Sequence, residues 1–143
     1  MKIVYNLCFG GFSISEIAVL RYAELKGLKV YPEKDKFGFI TYWTIPPGQQ
    51  PKKRNMLDWA DVPLEDKKAY NKAYTKHTIS NRNIPRSDPL LVQVVEELGA
   101  GANGSYAELA IADIPAGTRY RIDEYDGSEQ VMQIEDYDWE IAT

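Results

Sequence analysis

The stretch Cys8-Phe9-Gly10-Gly11-Phe12-Ser13 comes nearest, by residue type and spacing, to a site for chemistry. Two glycines that feed a helix N-terminus would present unpaired backbone N–H groups at the positive end of a helix dipole, an arrangement that receives phosphate in many folds. Ser13 or Ser15 would add a hydroxyl. Neither GxGxxG nor GxxxxGK[ST] is present, so a simple tight turn stands beside the phosphate reading. A second candidate is the connector from Asn81 to Pro89, where Arg82 and Arg86 precede another expected helix start. Their guanidinium forks suit a phosphate or carboxylate; the plainer reading is an ordered connector whose arginines pair with acids. Tyr5, Phe9, Phe12, Tyr106 and Tyr120 would stack a nucleobase if they face a cleft, and otherwise fill the core. The ligand-binding set expected from these readings is Gly10, Gly11, Phe12, Ser13, Arg82, Arg86 and Tyr106. On that reading, Arg86→Ala weakens ligand binding by about 1.5 to 3 kcal/mol and leaves the fold intact.

Catalysis and metal binding find less support. Cys8 and His77 are the single cysteine and histidine and lie far apart, so they form no ligand cluster. The carboxylates between Asp123 and Asp138 read as a solvated acidic surface rather than a cation site. No serine stands in a nucleophile-elbow context for His77 to serve, and Cys8 lies in an apolar run where a thiol behaves as a small hydrophobe. No enzyme, metal or cofactor is expected.

The elements that must position these residues follow from pattern. Residues 2 to 8 read as a strand, and Ser13 with Glu16 reads as a capping box that opens a helix through Lys26, with Ile17, Leu20, Ala23 and Leu25 inward. Gly27 is its natural stop. Leu28 to Tyr31 and Phe37 to Ile45 read as strands, and PPGQQPKKRN as an exposed loop. Pro63 starts a polar helix to about Thr78 that packs through Tyr70, Ala73, Tyr74 and His77. Ser87 or Asp88, with Pro89, starts a helix whose stripe is Leu90, Leu91, Val94, Val95 and Leu98, and which Gly99 ends. The remainder reads as a meander of three strands: 106 to 114, 118 to 125 and 129 to 135, with an Asp126-Gly127 hairpin turn. The expected fold is α+β in a single domain, 1–143, with three helices and a mixed or antiparallel sheet.

Composition agrees with one folded core. The chain has 143 residues, 44% hydrophobic and 27% charged, too apolar for disorder. A lone cysteine excludes an intrachain disulfide, and the short apolar start MKIVYNLC is neither a signal peptide nor a membrane span, which places the protein in the cytoplasm. A net charge of −4 opposes general nucleic-acid binding. The charge is uneven, with bases from Lys52 to Arg86 and acids from Asp123 to Glu140. Ten Tyr and three Trp exceed what so small a core needs, which favours contact with a partner or a flat ligand.

The stretches KIVYNLCFGGFSISEIAV, RYAELKG, IPRSDPLLVQVVEELGAGANGSYAELAIADIP and YRIDEYDGSE resemble a family of small proteins of phage and prophage origin. The resemblance covers both ends of the chain and not residues 34 to 80, and it carries no residue roles. It implies a counter-defence setting in the host cytoplasm. Two functions suit such a protein. One is a homo-oligomeric sponge that sequesters a cyclic nucleotide or cyclic ADP-ribose derivative without turnover. The alternative is a protein-binding inhibitor of a bacterial defence system, of anti-CRISPR or anti-restriction type, using exposed aromatics and the acidic C-terminal hairpin.

Overall fold

A computed structural model describes residues 1–51, 56–134 and 142 of the chain. The elements run β1 (Lys2–Asn6), α1 (Glu16–Leu25), β2 (Tyr31–Lys34), β3 (Ile40–Trp43), α2 (Leu64–His77), β4 (Thr78–Ile79), α3 (Pro89–Leu98), β5 (Leu109–Asp113), β6 (Tyr120–Tyr125) and β7 (Ser128–Gln133). The architecture is α+β, with three α-helices and antiparallel pairing throughout the described strands.

The strands form three small sheets instead of one. β5 does not continue into a meander with β6; it pairs with β1, Val4 opposite Ile111. The reason lies at the other edge of β1. There the Val4 N–H donates to the Arg86 carbonyl and the Asn6 N–H to the Glu129 carboxylate, both at 2.9 Å. That edge is thus closed by a connector and a side chain, and β6 and β7 are left as a hairpin of their own. Its Asp126-Gly127 turn has positive φ at both residues, 50° and 89°, the geometry that matches the twist of paired strands.

The β2–β3 pairing is likewise shorter than the pattern predicts. Asp35 accepts the N–H groups of Phe37 and Phe39, which makes 35 to 39 a turn and delays β3 to Ile40. The preceding strand starts at Tyr31, where the pattern had placed its end.

The core lies between α1, α3 and β1. α3 buries Leu91, Val94 and Val95 of its expected stripe and Val92 beside it, while Leu90 and Leu98 pack on the core half-buried. The inward face of α1 differs from expectation: Ala18, Val19, Tyr22 and Ala23 are buried, whereas Ile17 and Leu20 are exposed. The two alanines let α3 approach closely, and Tyr22 supplies the bulk. Ser15, not Ser13, caps this helix, its hydroxyl accepting from the Ala18 N–H. α2 buries no residue fully; it is held by rings, with Tyr74 edge-on to Trp43 and Tyr70 edge-on to Trp59.

Tyr22 also joins two helices by a polar contact. Its hydroxyl donates to one Asp88 oxygen at 2.6 Å, while the other oxygen caps α3 by accepting the Leu90 N–H at 2.8 Å. Burial first, and the adjacent carboxylate second, push the phenol well above its ordinary pKa of 10. The folded state therefore keeps Tyr22 neutral where the unfolded chain ionises. Stability from this group is complete below about pH 10 and falls as pH rises beyond it. Tyr22→Phe should cost about 1 to 2 kcal/mol at neutral pH and flatten the alkaline decline, as read from urea unfolding between pH 8 and 11.

Candidate functional site

An open cleft of about 490 Å³ lies where the loop before α1, the connector between β4 and α3, and the β6–β7 hairpin meet. Phe12, Asn81, Arg82, Arg86, Glu124 and Glu129 line it. Three of the residues expected to bind a ligand, Phe12, Arg82 and Arg86, are thus brought together from segments about seventy positions apart.

Arg86 is already engaged. Its fork donates to both oxygens of Glu129, at 2.7 and 2.9 Å, and its guanidinium carbon sits 3.4 Å from the centre of the Phe12 ring. The ring face and the cation that a nucleotide would require are therefore used against each other and against a buried carboxylate. Arg82 is exposed, and its guanidinium makes no hydrogen bond or ion pair with the described residues. Asn81 holds the loop in place by donating to the Phe12 carbonyl at 3.1 Å. On the opposite wall, Glu124 is directly across from Glu129 in the hairpin register. Two like charges so placed repel. Arg86 compensates one of them, and Glu124 lies exposed at the surface.

Gly10, Gly11, Ser13 and Tyr106 do not line this cleft. With the helix capped at Ser15, the two glycines are not at a helix start, so the dipole argument for a phosphate there is lost. Gly10 serves close packing instead, whereas Gly11 has open space around it and is required by its φ of 91°. A Cβ on Gly10 would strike the backbone carbonyl and Cβ of Tyr106, and one on Gly127 would strike the Phe9 carbonyl. Ser13 donates to the Ser105 carbonyl at 3.3 Å and accepts the Gly104 N–H at its own carbonyl. Gly10→Ala should destabilise the fold by about 2 kcal/mol through this collision, seen as a lower urea midpoint with an unchanged slope.

The residue that organises the region is Asn6, fully buried at the end of β1. Its amide group donates to the carbonyls of Cys8 and Gly127, and its oxygen accepts from Cys8 and Glu108. Four segments far apart in the sequence meet around it and the cleft: the start, the IPRSDP connector, the ANGSY loop and the YDGSE turn. An asparagine inside an otherwise apolar strand was the visible signal. Its partners, up to 123 positions away, were not.

Two further groups stand outside the cleft. At this end of the molecule Phe9, Tyr106 and Tyr125 are 65, 83 and 80% exposed, and at the β2–β3 turn Phe37 and Phe39 are 71 and 73% exposed. Of the acids expected to group near the C-terminus, Asp123, Glu124, Asp126 and Glu129 lie on the hairpin, whereas Glu135, Asp136 and Asp138 lie outside the described residues, as do Lys52, Lys53 and Arg54. Among the described residues, no group of three or more His, Cys, Asp or Glu is placed to hold a metal ion, and no helix is long and apolar enough to cross a membrane. Comparison with protein-family models, with curated proteins and with solved structures finds no match, and the chemistry of the surface itself has to carry the functional argument.

Proposed function

We propose that the protein acts by stoichiometric binding to another protein, as an inhibitor of a bacterial defence system of anti-CRISPR or anti-restriction type. The observation that carries this reading is that, among the described residues, five aromatic rings are left at least 65% exposed, at Phe9, Phe37, Phe39, Tyr106 and Tyr125. Large rings in water are a cost with no return in a free monomer, and aromatic anchors dominate the energetics of protein interfaces. The counter-defence setting rests on the family resemblance.

A second reading, sequestration of a cyclic nucleotide or cyclic ADP-ribose derivative by a homo-oligomer, is favoured by one observation: Phe12, Arg82 and Arg86 share a cleft. It ranks behind because the Arg86 fork is closed on Glu129, which leaves Arg82 as the cation available to phosphate. A sponge must also hold its ligand at nanomolar affinity or better, about −12 kcal/mol, which one exposed arginine supplies poorly.

Both readings meet one experiment. Tagged protein is recovered from a bacterial host lysate and what stays bound is weighed by native mass spectrometry. A stoichiometric protein partner without a nucleotide supports the first reading. A retained nucleotide that calorimetry shows binding intact supports the second, and a protein that returns alone under both tests overturns both.

A further inference from the structure

We infer that the exposed aromatic end formed by Phe9, Tyr106 and Tyr125 is a docking surface for a basic, lysine- or arginine-bearing segment of a partner protein. This deepens the protein-binding reading and rests on it.

The first ground is the backbone. Tyr106 and Asp126 are the two non-glycine residues with positive φ among the described residues, at 63° and 50°. Asp126 is accounted for by its hairpin turn. Tyr106 stands at the third position of a turn closed by the Ala107 N–H on the Gly104 carbonyl at 3.1 Å, a place that calls for positive φ and suits glycine or asparagine; a bulky tyrosine is strained there, and its ring, 83% exposed, recovers nothing by burial. The surroundings hold it there nonetheless, because the Gly10 backbone packs directly against it. The neighbouring rings are held as firmly. Gly127 abuts the Phe9 carbonyl, and Ser128, paired with Tyr125 at the hairpin end, donates to the Leu7 carbonyl at 3.1 Å. Three rings projecting from rigid backbone lose little freedom on binding, as interface anchors should.

The second ground is charge. A groove of about 400 Å³ reaches this end at Tyr125, and its described lining includes Tyr5, Tyr125, Asp123, Glu124 and Glu129 but no lysine, arginine or histidine. Asp123 is paired with Arg121 and Glu129 with Arg86, so the uncompensated negative charge concentrates at Glu124, with Asp126 exposed at the tip beside it. An incoming cation would lie between ring faces and carboxylates, where cation–π and ionic attraction act together. It would also relieve the repulsion of Glu124 against Glu129. A second copy meeting the same face by two-fold symmetry would bring acid against acid, which disfavours self-association here.

The test uses the full chain as bait for a random twelve-residue peptide display library, followed by affinity measurement on synthetic versions of the enriched peptides. Enriched peptides should carry lysine or arginine beside an aromatic or aliphatic residue. They should bind Tyr106→Asn/Tyr125→Ser at least about tenfold more weakly, and weaken further between 50 and 500 mM salt. Asn is chosen at 106 because it tolerates the left-handed backbone, and Glu124→Gln gives an independent variant that keeps every ring. It should weaken the same peptides about threefold or more. Neutral or acidic peptides that still need Tyr106 and Tyr125 would overturn the basic partner and leave the protein-binding reading standing. Peptides indifferent to all these variants, or no enrichment, would overturn the docking surface itself. A dimer in sedimentation that Tyr106→Asn dissolves would assign the surface to a second copy and overturn the proposal too.

Discussion

Replacing Arg86 by Ala should destabilise the protein by about 3 to 5 kcal/mol, because it leaves the buried Glu129 carboxylate without its counter-charge. Glu129 is set among the Asn6 N–H, the Val4 edge of β1 and the hairpin backbone, with little access to water. A carboxylate in that place must keep a cation, take up a proton or move out. The expectation from residue types alone was milder, weaker ligand binding on an intact fold. The bidentate pair changes it. The double replacement Arg86→Met/Glu129→Met should recover a large part of the stability, since it removes the stranded charge along with the pair, although the Asn6 N–H then lacks its acceptor. Urea unfolding of the two single and the double variants gives the coupling directly. A stable, fully folded Arg86→Ala would mean that Glu129 can reach solvent.

Asn6→Leu should be at least as damaging, about 4 kcal/mol or more, since it removes four side-chain hydrogen bonds at a fully buried position. Each N–H or carbonyl left unpaired there costs about 1 to 3 kcal/mol. Asn6→Asp is the sharper comparison because the shape is kept. One oxygen can still accept from Cys8 and Glu108, but the other faces the carbonyls of Cys8 and Gly127, which offer no proton. It should therefore fold only at low pH, where the carboxyl is protonated and can donate to one of them, and circular dichroism against pH reads this out. A variant equally stable from pH 4 to 8 would show that the two carbonyls find other donors.

What the sequence made legible was local. α3 was readable because its stripe, Asp88 cap, Pro89 and terminal Gly99 all agree within one segment. α2 announced itself through Pro63, and the β6–β7 turn through Asp126-Gly127. What failed depended on distance. The cap of α1 passed from Ser13 to Ser15 because the hydroxyl and carbonyl of Ser13 are taken by Ser105 and Gly104. β5 went to β1, some hundred residues back, because β1 offered a free edge there and a closed one towards the hairpin. The candidate site divided in the same way. Phe12, Arg82 and Arg86 were found as residue types, but Glu129, which neutralises Arg86, is 43 positions from it and stood in the sequence as one acid among many. Residue type shows what a side chain can do, and only its neighbours show whether that capacity is already spent.

The closure of β1 by a carbonyl and a carboxylate bears on how the molecule breathes. No ladder of backbone bonds ties the hairpin to the sheet behind it, so β6 and β7 can lift away as one unit once a few side-chain contacts let go, without unzipping β1 from β5. Amide deuterium uptake would then show the hairpin exchanging as a block at a lower opening free energy than the strands of the first sheet. The hairpin carries Tyr125, Glu124 and Asp126, so part of the face turned to a partner belongs to this unit. A partner bound there would slow exchange through the whole hairpin, far beyond the residues it touches.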